Sequence, residues 1–226
     1  MAIIHRTTVK PTKLELLNSW LPSRSWYHGG GVGEPELAKA GGFRLDDPQG
    51  EVGIEFMVVA DTSGVRPFTY LVPLTYRGAP LDGADHALIG TMEHGVLGPR
   101  WAYDGCHDPV LIAQLLALID GRAEAQAQSI SDTPDREVTR SRTGDGPTPT
   151  DFPAATHAAS DGQEHTELPV TLGATLRVHR VLRPVPDDGP AQLPQGATGH
   201  VAGSWQMPDG TSARGLFAVL HAGAPA

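Results

Sequence analysis

Cysteine is nearly absent from this chain. Cys106 is the only one, so no disulfide can form within the chain and no zinc site can be built on thiolates. Lysine is almost as scarce, with only Lys10, Lys13 and Lys39, and the formal net charge is −9. A nucleic-acid-binding surface would carry a clustered basic face, so no nucleic-acid partner is expected. No apolar run approaches the ~18 residues of a membrane span, and residues 1–10 lack the apolar core of a signal peptide. These absences point to a cytoplasmic protein with no membrane partner. Glycine and proline are plentiful, at 27 and 20 among 226 residues, and suggest an ordered body broken by loops.

The hydrophobic patterning supplies the elements. Thr12-Lys13-Leu14-Glu15 reads as a capping box opening a short helix whose apolar face is Leu14, Leu16, Leu17, Trp20 and Leu21. Pro22 ends it. A glycine-rich loop, Gly29 to Gly33, follows, with Gly41 and Gly42 beyond it. Val52, Ile54, Phe56 and Val58 alternate with polar or small residues, which predicts a strand with one buried face. After the turn Asp61 to Gly64, Phe68, Tyr70, Val72, Leu74 and Tyr76 share a face of a second strand, giving a hairpin. Pro73 predicts a sheet edge or bulge there. Shorter strands are expected at Ala87–Glu93 and Arg100–Tyr103. Asp108-Pro109 then opens an amphipathic helix through Leu111, Ile112, Leu115, Leu116, Leu118 and Ile119, with Ala123 to Gln128 available to prolong it. Ser131 to Glu167 is polar and reads as a loosely held linker. Beyond it, Val170 to Val178 alternates as one strand, and Val201 to Met207 pairs across Pro208-Asp209-Gly210 with Arg214 to Leu220. The class is α+β, a curved antiparallel sheet with two packed helices. The expected division is a body over 1–130, a linker over 131–167, and strands over 168–222 that complete or adjoin the sheet.

Three contiguous stretches carry a family resemblance: Tyr70-Leu71-Val72-Pro73-Leu74-Thr75-Tyr76, Trp101-Ala102-Tyr103-Asp104-Gly105, and His107-Asp108-Pro109. Through them the chain, from Ile3 to about Gln128, resembles the N-terminal cap domain of the actinobacterial maltokinases, which phosphorylate maltose with ATP. The resemblance implies the same α+β class and a module that sits in front of a two-lobed kinase. The expectation is a cap without its enzyme, since the sequence ends at Ala226. Phosphoryl transfer needs a lysine on the phosphates and a catalytic-loop Asp. No lysine follows Lys39, and none of the ten histidines has Asp two residues on. Asp151-Phe152-Pro153 only superficially matches a magnesium-binding Asp-Phe motif. No catalytic residue and no cofactor are expected.

The glycine loop lacks the Gly-Lys-Ser/Thr of a phosphate loop. His86, His94, His107 and Asp108 match no helix-borne ligand pair. Cys106 lacks an oriented base, and Ser204 lies in a strand with no nucleophile elbow. Glu51 and Glu55, four apart on one strand, either share a proton or bind a sugar hydroxyl, or form a solvated face. Trp26, Tyr27, Tyr76, Trp101 and Tyr103, with Trp205, either stack on sugars and anchor a partner or fill the core. Trp26-Tyr27 is the pair expected to be exposed, and Asp104, just before the second helix, is expected to accept backbone N–H bonds and complement the helix dipole. The candidate ligand or partner surface is therefore Trp26, Tyr27, Glu51, Glu55, Tyr76, Trp101 and Tyr103. The expected function is a non-catalytic accessory module of maltose, trehalose or glucan metabolism that meets a sugar kinase or related enzyme. The alternatives are a sugar-binding protein or enzyme using the sheet's concave face, and a degenerate ATP-dependent kinase.

Overall fold

The computed structural model describes residues 8–29, 33–130, 132–143, 159–170, 173–185 and 193–222. Gly30 to Val32 of the glycine loop, Asp151-Phe152-Pro153 and Leu172 lie outside them.

The chain begins with β1 (Val9–Lys10) and α1 (Lys13–Trp20). The Thr12 hydroxyl accepts the Glu15 N–H, and the Glu15 carboxylate accepts the Thr12 N–H, which is the capping box read from sequence. Pro22 sits within a 3-10 turn, Leu21–Ser23, that ends the helix. Five strands follow: β2 (Leu37–Leu45), β3 (Gly53–Asp61), β4 (Phe68–Arg77), β5 (Leu88–His94) and β6 (Gly98–Asp104). A 3-10 turn, Gly105–His107, leads into α2 (Pro109–Asp120), capped by the Asp108 carboxylate on the Val110 N–H. Seven more strands follow among the described residues: β7 (Gln126–Ala127), β8 (Thr139–Arg142), β9 (Ser160–Asp161), β10 (His165–Pro169), β11 (Thr175–His179), β12 (Ala197–Gln206) and β13 (Ser212–His221).

All thirteen strands belong to one antiparallel sheet, ordered β1-β5-β6-β4-β3-β2-β12-β13-β11-β10-β9, with β7 on β2 and β8 on β12. The sheet curls strongly. The chain just beyond β11 returns to β4, where the Leu71 N–H donates to the Arg180 carbonyl and the Leu182 N–H to the Thr69 carbonyl, each at 2.8–2.9 Å. Glycine permits the tight passage of β2. Gly42 has φ +121°, and a Cβ there would lie 2.0 Å from the Phe56 carbonyl oxygen.

Helices cover both faces of the central strands. On one face α2 packs on Ile54, Phe56, Val58 and Leu71, in a core that also takes Leu168, Leu176, Val201 and Phe217 from the second half. Phe43 stacks on Phe56 at 4.5 Å and on Phe217 at 6.0 Å, so the two halves share one apolar interior. On the other face α1 contributes Leu17 and Trp20 to a cluster with Met57, Val59, Tyr70 and Val72.

Several expectations change. β3 is buried on both faces rather than one, because α1 covers the side read as solvated. β4 is an interior strand. The Leu71 N–H points to Arg180, so the missing donor of Pro73, two residues on, faces the same side. That position falls between the Val181 bridge at Tyr70 and the β6 ladder, which starts at Leu74. Gly121, at φ +82°, ends α2 in a left-handed cap, and the residues thought to prolong the helix form β7. The stretch read as one strand over 170–178 is a hairpin, with Gly173 at φ +68° and the Val170 N–H on the Ala174 carbonyl. The presumed linker carries β8, β9 and the start of β10. Such strands need backbone partners more than apolar side chains, which is why composition hid them.

Leu115 is 1% exposed at the centre of the α2 face. Leu115→Ala should lower unfolding free energy by ~2–5 kcal/mol in urea titrations, and a change near zero would contradict this packing.

Candidate functional site

β3 and β4 position the most concentrated polar group of the cap-like half. Glu55 lies on β3 at the α1 face and is 4% exposed. One of its oxygens pairs with the Lys13 ammonium at the start of α1 and accepts the Tyr76 hydroxyl at 2.8 Å. The other accepts the Gln128 amide at 3.1 Å. Burial alone would raise the Glu55 pKa, but the Lys13 charge, its hydrogen bond and the Tyr76 hydroxyl outweigh burial and hold it below the usual carboxylate range. The same desolvation, with the Glu55 charge, pushes the Tyr76 phenol well up. The carboxylate is thus ionised and engaged through both oxygens. The cavity beside it, lined by Lys13, Leu17, Tyr76 and Met92, holds about 10 Å³, at most a single water. This arrangement pins α1 to the sheet and ties both Glu55 oxygens into structural contacts.

Asp104, at the end of β6, caps the Cys106 N–H as expected. It also meets Arg180, which the sequence did not announce. Arg180 is 0% exposed and its Nη2 lies 2.7 and 2.6 Å from the two Asp104 oxygens. Its Nε donates to Thr166 at 2.7 Å, and Thr166 donates to Asp161 at 2.6 Å. Burial opposes the cation, yet the Asp104 charge and hydrogen bonds keep the Arg180 pKa raised. The indole of Trp26 lies over the guanidinium, 4.9 Å from its Cζ. Trp26 itself is 0% exposed, packed between Trp20 and Tyr70. The expectation that Trp26 is exposed is therefore overturned: it shields a buried charge.

The remaining candidates divide by strand register. Tyr27 is half-buried on the α1 face and donates to Asp61 at 2.7 Å. Glu51 precedes β3, is exposed, and donates its N–H to Asp47, so it shares no strand face with Glu55. Trp101 and Tyr103 pair with Arg77 and Thr75, whereas Tyr76 pairs with Ala102. They therefore point to the opposite face from Tyr76 and Glu55, where they join Ala84 and Ala87 in a small cluster. The Tyr103 hydroxyl accepts the Leu81 N–H at 2.9 Å. The sheet brings Glu55 and Tyr76 together, gathers Trp26 and Tyr27 around Tyr70, and separates both groups from Trp101 and Tyr103.

Other chemistry-bearing residues are similarly committed. Cys106 is buried, and desolvation drives its thiol pKa far up, away from a nucleophile. His86 and His107 contact each other at 3.1 Å. Asp108 holds Arg77 through two 2.7 Å bonds. His94 accepts the Val96 and Leu97 N–H groups in a turn. Among the described residues no three His, Cys, Asp or Glu side chains converge as metal ligands. Ser204 contacts Glu137 and Arg214 at the surface.

Because the folded pKa of Glu55 is depressed, its stabilising contribution is present above the unfolded carboxylate pKa and is lost as pH falls through the folded value. Glu55→Gln should cost about 1–3 kcal/mol near neutral pH. The gap from the parent should close as pH drops below ~4. Urea titrations across pH measure both, and a gap independent of pH would contradict the assignment.

The segment from Trp20 through the N-cap of α2, which contains β2 to β6, Glu55, Tyr76 and Asp104, has a known counterpart: residues 20–108 match the family model of the maltokinase N-terminal cap domain.

Proposed function

We propose that this protein is a non-catalytic, cap-like accessory module serving an enzyme of maltose, trehalose or glucan metabolism, with a sugar kinase as the favoured partner. The match of residues 20–108 to the maltokinase cap is the observation that carries the reading. The chemistry of that segment supports it. Glu55, Asp61, Asp104 and Asp108 are each held by a named donor, so none is a free base or a metal ligand. Lys13 and Glu55 do form an ion pair, but the lysine stands on a helix and the glutamate on a strand, the reverse of the kinase arrangement. Of the expected contact residues, Tyr27, Glu51, Tyr76 and Trp101 keep solvent-facing atoms, and we assign them to partner contact. Trp26, Glu55 and Tyr103 hold the shape beneath them. A sugar held between Glu51 or Glu55 and Trp101 or Tyr103 finds less support, because the sheet places these residues on different faces. No helix among the described residues is long and apolar enough to cross a membrane.

The purified chain with ATP, magnesium and maltose should transfer no phosphate. Tagged and captured from its own cells, it should retain a sugar-metabolising enzyme in stoichiometric amount and change that enzyme's kcat or KM on addition. Phosphate transfer by the chain alone, or no effect on any captured enzyme, would contradict the proposal.

A further inference from the structure

A groove lies outside the cap-matched segment, at the C-terminal end of α2. There Gly121 turns the chain, and the Arg122 and Ala123 N–H groups both fold back onto the Ala117 carbonyl. The chain runs out through β7 and returns antiparallel, with the Ala127 N–H on the Thr133 carbonyl and the Asp135 N–H on the Ala125 carbonyl, each at 2.8 Å. It then enters β8, which is fixed along β12 from Thr139 to Arg142. Between the helix end, this return and β8 lies a groove of about 550 Å³. That volume falls in the range of small-molecule sites, ~300–1,000 Å³. Because both walls are tied by backbone hydrogen bonds, the groove is largely pre-formed.

Its lining has three components. Leu118, Ala125 and Val138 supply an apolar floor. Arg122, Arg136 and Arg140 supply guanidinium groups. Glu124 and Asp135 supply carboxylates. Arg122 is occupied by Asp120, which also holds Arg142. Arg136 and Arg140 have no ion pair or hydrogen bond among the described residues. Arg140 lies against Gly121, where a Cβ would meet its Nη atoms at 2.5 Å, so its charge also complements the negative end of α2. Two unpaired guanidinium groups beside one groove are suited to an oxyanion, which each can grip with two parallel N–H donors. The neighbouring carboxylates accept hydrogen bonds and suit hydroxyl groups on the same ligand.

We propose that this groove binds a small hydroxylated oxyanion, a phosphate monoester or carboxylate on a short polyol body, with Arg136 and Arg140 on the anionic group and Glu124 and Asp135 on the hydroxyls. The site is separate from Glu55 and Asp104 and draws none of its lining from residues 20–108.

Isothermal titration calorimetry on the full chain tests it, with glycerol 3-phosphate, gluconate, inorganic phosphate and glycerol as probes. Saturable one-to-one binding is expected for at least one hydroxylated anion, weaker binding for inorganic phosphate, and none for glycerol. Whether glycerol 3-phosphate or gluconate binds more tightly identifies the anionic group. Arg136→Gln and Arg140→Gln should each weaken binding by about tenfold or more, since each removes charge-assisted hydrogen bonds. Arg136 is exposed and its side chain makes no hydrogen bond or ion pair with a described residue, so Arg136→Gln should keep the parental melting curve. Arg66→Gln, at the exposed tip between β3 and β4, should bind as the parent does. No saturable binding of either anion, equal affinity for glycerol, or unchanged affinity in the double arginine variant would overturn the proposal.

Discussion

The structure depends on one buried charge pair. Asp104 ends β6 in the first half of the chain, Arg180 follows β11 in the second, and both are essentially inaccessible to water. Desolvating two such charges costs several kcal/mol each, and the cost is recovered only if the geometry is good and the remaining polar atoms find partners. Here Nη2 reaches both Asp104 oxygens, Nε reaches Thr166 and Trp26 covers the guanidinium, while Nη1 is buried without a hydrogen-bond partner among the described residues. The backbone at Arg180 is held too, its carbonyl by Leu71 and its N–H by Glu164. A register error in either half would leave a buried charge unpaired, so the pair selects the one curl of the sheet in which both halves meet.

That constraint explains how the cap-like segment relates to the rest. Residues 20–108 supply β2 to β6 and one partner of the ion pair, while the other partner comes from beyond β11. The apolar interior is shared in the same way, with Phe43 stacking on both Phe56 and Phe217 and Trp205 completing the row. Glu55, Asp61, Asp104 and Asp108 of the matched segment are buried and each is engaged by a donor within the fold. The accessible cationic groove lies elsewhere, beyond α2.

The elements with local signals were legible in the sequence. The capping box at Thr12 and Glu15, the Asp108-Pro109 start of α2, the hairpin of β3 and β4, and the turn at Pro208 to Gly210 all rest on residues close in the chain. What escaped depends on distant neighbours. Glu55 alternates correctly on β3, but nothing nearby shows that α1 will cover it and bring Lys13. Trp26 sits beside a glycine-rich loop and looks exposed until Arg180, far along the chain, is placed beneath it. Arg180 is the functional surprise, and its only local hint was a charged residue following an alternating apolar run. Gly173 was the missed signal within reach: a glycine in the middle of an apparent strand marked the turn between β10 and β11.

The most direct test is a double-mutant cycle on Asp104→Asn and Arg180→Met, measured by urea denaturation. Each single change should cost ~3–5 kcal/mol, because it strands a buried partner. The double variant should recover much of that, giving a coupling energy of about 2–3 kcal/mol. Additive losses, or single losses near zero, would show that the two halves are joined by the shared apolar core and not by this pair.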